Sequence, residues 1–238
     1  MTIRVGTSGW QYADWRGLFY PDRLPQREWL SWYAAAFDSV EVNATFYRLP
    51  KREAVQRWAD TLPDGFLMTV KASRYLTHIK RLRDPEEPVQ RLLDRIEPLR
   101  ERALLGPVLL QLPPAFPVDC PRLEQTLACL NGHVPVAVEL RDPSWFHADV
   151  RDVLAAFDAP LVWADRDGRA TGPLWETASW RYLRLHHGRD SWSYDTSTLR
   201  RWARRLSAHD GFAYANNDPG GAAVEDARRL RELLADLP

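Results

Sequence analysis

The run VAVELR at residues 136–141 has the alternating pattern of a β-strand with two unlike faces. Three large apolar residues occupy one parity, whereas the other parity ends in Glu139 and Arg141. Because successive side chains of a strand point to opposite faces, the run predicts one face packed against helices and a second face that becomes polar at its carboxyl end. Helical patterns at residues 121–130 and 148–157 flank it, which favours a parallel sheet built from repeated strand–helix units.

The same unit recurs along the whole chain. Eight strands are predicted, at residues 3–6, 39–43, 66–72, 107–112, 136–141, 161–165, 181–186 and 211–216. Seven helices are predicted between them, at residues 27–37, 52–61, 85–104, 121–130, 148–157, 196–207 and 222–235. The segment RDGRATGPLWETAS at residues 166–179, between strands six and seven, is too short for a full helix.

These units predict a single α/β domain over residues 1–238, a (β/α)8 TIM barrel with a shortened unit between strands six and seven. An open, doubly wound sheet is the alternative architecture, and it usually carries a GxGxxG turn after its first strand. GTSGW at residues 6–10 does not match that turn, so we favour the closed barrel.

Composition narrows the classes of partner and compartment. The 238 residues carry 32 basic and 32 acidic side chains, so no global charge favours nucleic acid or a membrane. Cys120 and Cys129 lie nine positions apart, at the start and near the end of one predicted helix, too far apart for a disulfide, which favours a reducing compartment. We find neither a leader pattern nor an apolar run of roughly 20 residues, so we expect a cytoplasmic chain with no membrane contact, and a monomer by default.

Nearly every predicted strand becomes polar near its carboxyl end, on the parity that we assign to the barrel interior. The side chains concerned are Glu41, Asn43, Lys71, Gln111, Glu139, Arg141, Asp165, Arg184, His186 and Asn217. Burying one such charge without a partner costs several kcal/mol, and barrel enzymes keep their active sites at this end of the strands. The pattern therefore predicts a binding cavity at the barrel mouth. The three acidic and three basic residues of the set would also suit a purely structural network.

The predicted loops at the barrel mouth interleave aromatic and basic residues. Trp10, Tyr47 and Trp145 are candidate platforms for a flat, partly anionic ligand. His78 follows the third strand toward the same rim. The alternative is that the rings pack over the top of the barrel as a small core of their own.

Four residues are candidates for catalysis. Glu41 and Glu139 would form a carboxylate pair, and Lys71 would act as an anion contact, a base or a Schiff-base amine. Strand alternation sends only one of His186 and His187 inward, and we favour His186 as a carrier of protons.

A metal ion has little support in the sequence. The side chains near the mouth that contain metal-ligating atoms are His78, His147, His186, Glu41, Glu139 and Asp165. No pair among them has the close spacing of a known motif such as HExxH. A divalent metal is therefore poorly supported, and the cofactor stays unassigned.

Several motifs together resemble the DUF72 (YecE-like) family. They are GTSGWQYADWRGLFYP at residues 6–21, VEVNATFYRLP at 40–50, Lys71 with LTH at 76–78, LLQLPPAF at 109–116, VAVELRDPSW at 136–145, YLRLHHG at 182–188 and YANN at 214–217. His187 departs from the family pattern, in which the glycine follows a single histidine. The resemblance runs from residue 6 to about residue 217 and implies a TIM-barrel fold, similar in shape to sugar-phosphate isomerase and endonuclease IV-like barrels. It implies no specific reaction, because the family is largely uncharacterised.

Three functions are compatible with these patterns. The leading hypothesis is a hydrolase or lyase that binds a phosphorylated sugar, a nucleotide or a phosphodiester through Lys71, Arg141 and Arg184. The first alternative is a protein that binds nucleotides or nucleic acid without catalysis, by stacking and phosphate contact. The second is a glycosidase that uses Glu41 and Glu139, although three neighbouring basic residues suit an anionic substrate better than a neutral sugar.

Overall fold

The computed structural model describes residues 2–237; residues 1 and 238 of the expected domain lie outside the described residues. Within this range the strands are β1 (Ile3–Thr7), β2 (Ser39–Val42), β3 (Leu67–Lys71), β4 (Leu105–Gln111), β5 (Val136–Glu139), β6 (Trp163–Arg166), β7 (Arg169–Ala170), β8 (Trp180–Leu185) and β9 (Asp210–Ala215). The α-helices are α1 (Trp29–Ala36), α2 (Ala44–Tyr47), α3 (Arg52–Thr61), α4 (Glu86–Glu101), α5 (Cys120–Leu130), α6 (Ala148–Ala156), α7 (Thr196–Leu206) and α8 (Ala222–Ala235). None of these described helices combines the length and the apolar character needed to cross a membrane.

The strands form two sheets, with the orders β1-β9-β8-β6-β7 and β2-β3-β4-β5. All neighbours pair in parallel except β6 and β7, which pair antiparallel. At one junction of the two sheets, the amide of Val162, just before β6, donates a hydrogen bond of 2.9 Å to the carbonyl oxygen of Val138 in β5. The backbone pairing thus continues from one sheet into the other on this side.

At the other junction, Tyr33 of α1 joins β1 to β2. Its hydroxyl accepts a hydrogen bond of 2.8 Å from the Thr7 amide and donates one of 3.1 Å to the Ser39 carbonyl. The two strands approach so closely that a Cβ added at Gly6 would lie 2.1 Å from the Ser39 carbonyl oxygen, so only glycine fits there. With both junctions made, β1–β6, β8 and β9 close into the predicted TIM barrel.

Two separate apolar clusters confirm the predicted alternation of the strands. The cluster inside the barrel contains Leu109, Ala137, Val162, Ala164, Tyr182 and Tyr214. The larger cluster lies between the strands and the helices and includes Val40, Val42, Val138, Leu140, Leu183 and Leu185. Polar residues that share the parity of the inner cluster therefore point into the barrel.

The barrel interior has an aromatic floor and a polar layer above it. Trp180 and Phe212, near the amino ends of β8 and β9, pack beneath the rings of Tyr182 and Tyr214. The Tyr182 hydroxyl reaches upward and donates a hydrogen bond of 2.6 Å to Oε2 of Glu41. These rings separate the polar layer from the amino end of the barrel, so a ligand would reach that layer from the carboxyl end.

The unit between β6 and β8, which are the predicted strands six and seven, is shortened, as predicted. After β6 the chain turns back into β7, with Asp165 opposite Ala170 and Arg166 opposite Arg169, and then runs without a helix into β8. One local feature, the segment after β2, differs from the prediction. Residues 44–47, expected as a loop, form the single helical turn α2, in which the one hydroxyl proton of Thr45 is shared between the carbonyl oxygens of Val42 and Lys71.

Candidate functional site

A cavity of about 580 Å³ opens at the carboxyl ends of the barrel strands. It is lined by Tyr12, Asn43, Phe46, Tyr47, Lys71, Arg74, His78, Gln111, Arg141, Arg166, Arg184, His186, Asn216 and Asp218. Every one of the eight barrel strands, or the loop that follows it, contributes a lining residue. This is the position at which barrel enzymes bind their substrates, and the volume suits a small organic molecule.

Arg184 of β8 is the centre of the polar layer beneath the cavity. Its guanidinium donates to Oε2 of Glu139 at 2.5 Å, to Oε1 of Glu41 at 2.8 Å and to Oδ1 of Asn216 at 2.6 Å. The side chain is 1% exposed, so burial opposes its charge, but the two carboxylates outweigh burial and raise its pKa. Arg184 is therefore permanently charged and fixed in position.

Glu139 of β5 is occupied by arginine on both of its oxygens. Oε1 accepts a hydrogen bond of 2.7 Å from Nε of Arg141, and Oε2 accepts the one from Arg184. Burial would raise the pKa of Glu139, but the two guanidinium groups outweigh burial and hold that pKa well below its usual range. A carboxylate in this state neither donates a proton nor attacks a substrate, so it serves to position the arginines.

Glu41 of β2 is equally saturated. Oε1 accepts from the Ser8 hydroxyl at 2.6 Å and from Arg184, and Oε2 accepts from the Tyr182 hydroxyl. The side chain is 0% exposed and lies below the cavity rather than in its lining. The structural network that the sequence left open therefore exists for Glu41, Glu139, Arg141 and Arg184.

Lys71, the last residue of β3, differs from these groups because nothing neutralises it. Its Nζ lies 4.4 Å from the centre of the Phe46 ring, and it forms no hydrogen bond or ion pair with any residue between 2 and 237. The Thr45 hydroxyl binds the Lys71 carbonyl at 2.7 Å, which ties α2 to the end of β3 and sets Phe46 beside the amine. Burial, followed by the nearby charge of Arg184, lowers the pKa of Lys71 to about 8.

Two histidines in the lining stay uncharged at neutral pH. Burial lowers the pKa of His78 to about 4, with a further contribution from the charge of Lys71. Burial also lowers the pKa of His186 to about 3, although the nearby Glu139 opposes this shift. Nε2 of His186 is buried, lies 3.7 Å from Oε1 of Glu139 and has no hydrogen-bond partner in the described chain, so its hydrogen-bonding capacity is unused.

Asp218, in the loop after β9, is the one acidic side chain of the lining. Burial, reinforced by the charge of Glu41, raises the pKa of Asp218 to about 7. Oδ1 of this residue is buried without a hydrogen-bond partner. Near neutral pH the carboxyl group exists in both protonation states, which is the property required for proton transfer.

The rim of the cavity adds two unpaired arginines. Arg74 and Arg166 are exposed, line the cavity and form no side-chain hydrogen bond or ion pair within the described range. With Lys71, Arg141 and Arg184 they bring five basic side chains to a lining that holds one acidic group. The cavity is therefore electropositive and suits an anionic ligand.

The structure brings together ten of the fourteen residues that the sequence proposed for the site. Asn43, Tyr47, Lys71, His78, Gln111, Arg141, Arg184 and His186 line the cavity. Glu41 and Glu139 lie directly beneath it, bound to Arg184. His187 points elsewhere and pairs with Asp167 at 3.1 Å, so the choice of His186 as the inward residue agrees with the structure.

Two residues at strand ends point away from the cavity, contrary to expectation. Asp165 faces the helices, where Oδ2 accepts a hydrogen bond of 2.8 Å from Nε1 of Trp202, because Ala164 and Arg166 occupy the inward parity of β6. Asn217 donates to Oδ2 of Asp226 at 2.6 Å and is fully buried. Its neighbours on either side line the cavity in its place.

Trp10 and Trp145 also lie outside the cavity. Trp10 is 3% exposed and packs edge-on against Trp58 at 5.5 Å. Trp145 is fully buried, and its Nε1 donates to the carbonyl oxygen of Phe116 at 2.6 Å. Both rings belong to the larger apolar cluster. The sequence left open this alternative, in which the rings pack as core instead of binding a ligand.

Six lining residues were absent from the proposed set: Tyr12, Phe46, Arg74, Arg166, Asn216 and Asp218. Strand parity could have identified Arg166 and Asn216, because they lie two positions beyond Ala164 and Tyr214 of the inner cluster. The other four lie in loops, whose direction no periodic pattern predicts.

Among residues 2–237, no three His, Cys, Asp or Glu side chains come together in an arrangement that would hold a metal ion. Glu41 and Glu139 are already bound by arginine, which leaves Asp218 as the one carboxyl group of the described lining. Guanidinium, ammonium, amide and imidazole groups make up most of the polar lining, which suits anions.

Comparison with known proteins agrees with the motifs and the fold. The model of the family described as "Protein of unknown function DUF72" matches residues 4–237. The UPF0759 protein YunF of Bacillus subtilis is 25% identical over 273 aligned positions, which cover 98% of this chain and 94% of that protein. The UPF0759 protein YecE of Escherichia coli is 34% identical over 145 positions, covering 60% of this chain and 50% of that protein. A solved DUF72 family protein from Thermotoga maritima is 26% identical and superposes with a TM-score of 0.86, over 99% of this chain and 100% of that one. A TIM barrel with these motifs along nearly its whole length is thus a member of the DUF72 family.

Proposed function

We propose that this chain is an enzyme that acts on an anionic, phosphorylated small molecule, a sugar phosphate or a nucleotide, by proton transfer at the barrel mouth. The observation that carries the proposal is the imbalance of charge at the cavity: within the described chain, Lys71, Arg74 and Arg166 have no carboxylate partner, and Asp218 is the one acidic group of the lining. Unpaired cations that converge on a cavity are costly unless an anion joins them. Within this class we favour a lyase or a hydrolase.

The arginines of the rim are the groups assigned to the phosphate. Arg74 and Arg166 have free guanidinium groups, and Arg141 keeps 28% of its side chain exposed although one edge holds Glu139. Planar guanidinium groups bind phosphate oxygens in pairs, which gives both affinity and orientation. Arg184 is held by two carboxylates, so we assign it a positioning role beneath the substrate.

Asp218 is the group assigned to proton transfer. Its pKa of about 7 lets it accept or donate a proton near neutral pH, unlike Glu139 with its lowered pKa. His78 and His186 stay neutral and can hydrogen-bond the body of the substrate. This assignment replaces the carboxylate pair Glu41 and Glu139 as the acid–base machinery.

Binding of sugars with and without a phosphate group tests whether the substrate is anionic. Calorimetric titration should show that ribose 5-phosphate or glyceraldehyde 3-phosphate binds at least about tenfold tighter than the sugar without phosphate, because a charged hydrogen bond contributes about 1.5–3 kcal/mol. Arg166→Met should remove most of that difference, whereas the control Arg27→Met, at a position with an 81% exposed side chain, should not. Equal affinity for both members of each pair would refute the proposal.

Phosphorus NMR of the same mixtures separates the two reaction classes. A hydrolase releases inorganic phosphate, whereas a lyase leaves the phosphate on an organic fragment. Asp218→Asn supplies the control, because proton transfer by one side chain contributes about 10²- to 10⁴-fold to the rate. A panel that binds without any change in the phosphorus spectrum would support a binding protein rather than an enzyme.

A second candidate function, binding of single-stranded nucleic acid, has one observation in its favour. Tyr47, Tyr75 and Trp192 follow the carboxyl ends of β2, β3 and β8 and are 80%, 46% and 52% exposed. Exposed rings beside free arginines suit stacked bases and their phosphates. Affinity for a short oligonucleotide should then fall steeply with salt and drop by about 1–3 kcal/mol in Tyr47→Ala. The net charge of zero gives no general attraction, so we rank this function second.

The glycosidase alternative has less support. It needs one carboxyl group that donates a proton and one that attacks or activates water. Both oxygens of Glu139 and both oxygens of Glu41 are engaged below the cavity, and the pKa of Glu139 is lowered. Neither residue is available for that chemistry.

A further inference from the structure

Lys71 is the one cation of the polar layer that has no partner in the described chain. It is 8% exposed, and its Nζ faces the cavity above the Phe46 ring. Arg141 and Arg184, on neighbouring strands, both bind carboxylates. A buried ammonium that lacks such a partner is destabilised by several kcal/mol, so a role for its neutral form would explain its position.

The choice of lysine at this position is informative in this chain. Of the 32 basic residues only Lys51, Lys71 and Lys80 are lysines, and the other four basic residues of the cavity are arginines. Arginine does not lose its proton in proteins, whereas lysine does when it is buried. The cavity therefore holds a single amine that can become a neutral nucleophile, beside arginines that already provide the positive charge.

The surroundings of Lys71 increase the fraction of the amine that is neutral. Burial is the largest contribution, and the charges of Arg184 and Arg141 add to it. Glu41 and Glu139 act in the opposite direction, but both are bound by arginine. With a pKa of about 8, roughly a tenth of the side chain is neutral at pH 7, about 300-fold more than for an ordinary lysine.

We propose that Lys71 forms an imine with the carbonyl carbon of a phosphorylated aldehyde or ketone; this rests on the proposed function and narrows its substrate class. The lone pair of Nζ attacks the carbonyl carbon, and the C=O π electrons move to the oxygen, which takes up a proton. The carbinolamine then loses its hydroxyl as water, and both N–H protons of the amine end in solvent or water. The net change is R–NH2 plus O=C to R–N=C plus H2O.

Other residues of the cavity lining suit the remaining parts of this step. Asp218, with its pKa of about 7, can protonate the departing hydroxyl, and Arg74 and Arg166 hold the phosphate at the rim. Once protonated, the imine withdraws electrons from the adjacent carbon, which weakens the neighbouring C–C or C–H bond. The reaction class that follows is a lyase that cleaves or dehydrates a phosphorylated carbonyl compound.

Reductive trapping tests the imine directly. The chain is incubated with glyceraldehyde 3-phosphate and cyanoborohydride at pH 7, and the lysine-containing peptides are quantified by mass spectrometry. Lys71 should carry at least about ten times more adduct than Lys51 or Lys80, because it alone combines a large neutral fraction with a bound phosphate. The rate of trapping should rise with pH as Lys71 loses its proton and fall again once Asp218, the proposed acid, is deprotonated, with a maximum between about pH 7 and 8. Equal labelling of the three lysines would overturn the proposal.

Matched variants separate failure of the imine from failure of the proposed function. Lys71→Arg keeps the charge and should lose the trapped adduct while it still binds glyceraldehyde 3-phosphate in calorimetry. Lys80→Arg, at a surface residue that pairs with Asp84 at 3.2 Å, should trap like the parent. Should Lys71→Arg fold poorly by thermal melting, Lys71→Met replaces it. Tight binding of the phosphate compound by the parent without trapping would refute the imine and leave the proposed function standing. Absence of both binding and trapping would refute both.

Discussion

Replacement of Glu139 by Gln is the perturbation that best tests the network beneath the cavity. The carboxylate is 2% exposed and binds Arg141 at 2.7 Å and Arg184 at 2.5 Å. Removing one partner of a buried ion pair costs about 3–5 kcal/mol, and the amide retains one acceptor oxygen. We therefore expect the free energy of unfolding to fall by about 3 kcal/mol. For a chain of this size the midpoint of thermal unfolding should fall by about 6–12 °C.

The measurement is urea unfolding followed by circular dichroism, with Glu101→Gln as the matched control. Glu101 also pairs with an arginine, Arg52, at 3.0 Å, but both side chains are about half exposed. Exposed pairs contribute about 0–1 kcal/mol, so the control should remain close to the parent. A loss below about 1 kcal/mol for Glu139→Gln would refute the reasoning, because the carboxylate would then have no special role in holding the two guanidinium groups.

The pH dependence of the stability difference between the parent and Glu139→Gln gives an independent check. Glu139 has a folded-state pKa below its unfolded value, so its contribution to stability is present above the unfolded value near 4.5 and is lost as pH falls toward the folded value. The gap between the parent and Glu139→Gln should therefore be constant from pH 6 to 8 and shrink below about pH 4.5. A gap that stays constant down to pH 3 would mean that the pKa of Glu139 is not lowered.

Three further changes address the site, the helix packing and the closure of the barrel. Asp218→Asn should lower the turnover of a phosphorylated substrate by about 10²-fold or more and abolish the pH dependence of the rate near pH 7. An unchanged pH–rate profile would exclude Asp218 from proton transfer. Trp202→Phe removes the donor to Asp165, whose other oxygen has no partner, and should cost about 1–3 kcal/mol by urea unfolding; a loss under about 0.5 kcal/mol would contradict the contact. Gly6→Ala places a Cβ 2.1 Å from the Ser39 carbonyl oxygen and should lower the free energy of unfolding by more than about 3 kcal/mol. A melting curve like that of the parent would mean that β1 and β2 lie farther apart.

The alternation of residues within each strand was enough to predict the architecture. Alternation is a property of neighbouring residues, so runs such as Val136–Glu139 reveal both the strand and the face that meets the helices. The shortened unit before β8 was predicted for a similar reason, because residues 166–179 are too few for a helix. The turn α2 was missed, since it depends on a contact of Thr45 with the Lys71 carbonyl, 26 positions away.

Alternation holds at the strand ends, but two residues were predicted on the wrong parity and two aromatic residues of loops were predicted in the cavity. Asp165 and Asn217 each lie one position from an inward residue, and one position is enough to turn a side chain to the opposite face. Trp10 and Trp145 were misplaced because a loop ring can pack into the core as readily as it can line a cavity.

Local sequence thus determined the barrel, the end at which it is polar and most residues that meet there. Tertiary structure decided which charges are cancelled: it pairs Arg184 with carboxylates from β2 and β5 and leaves Lys71 without any. Ionisation depends on burial and on charges brought close by distant parts of the chain, and no spacing within one strand encodes either.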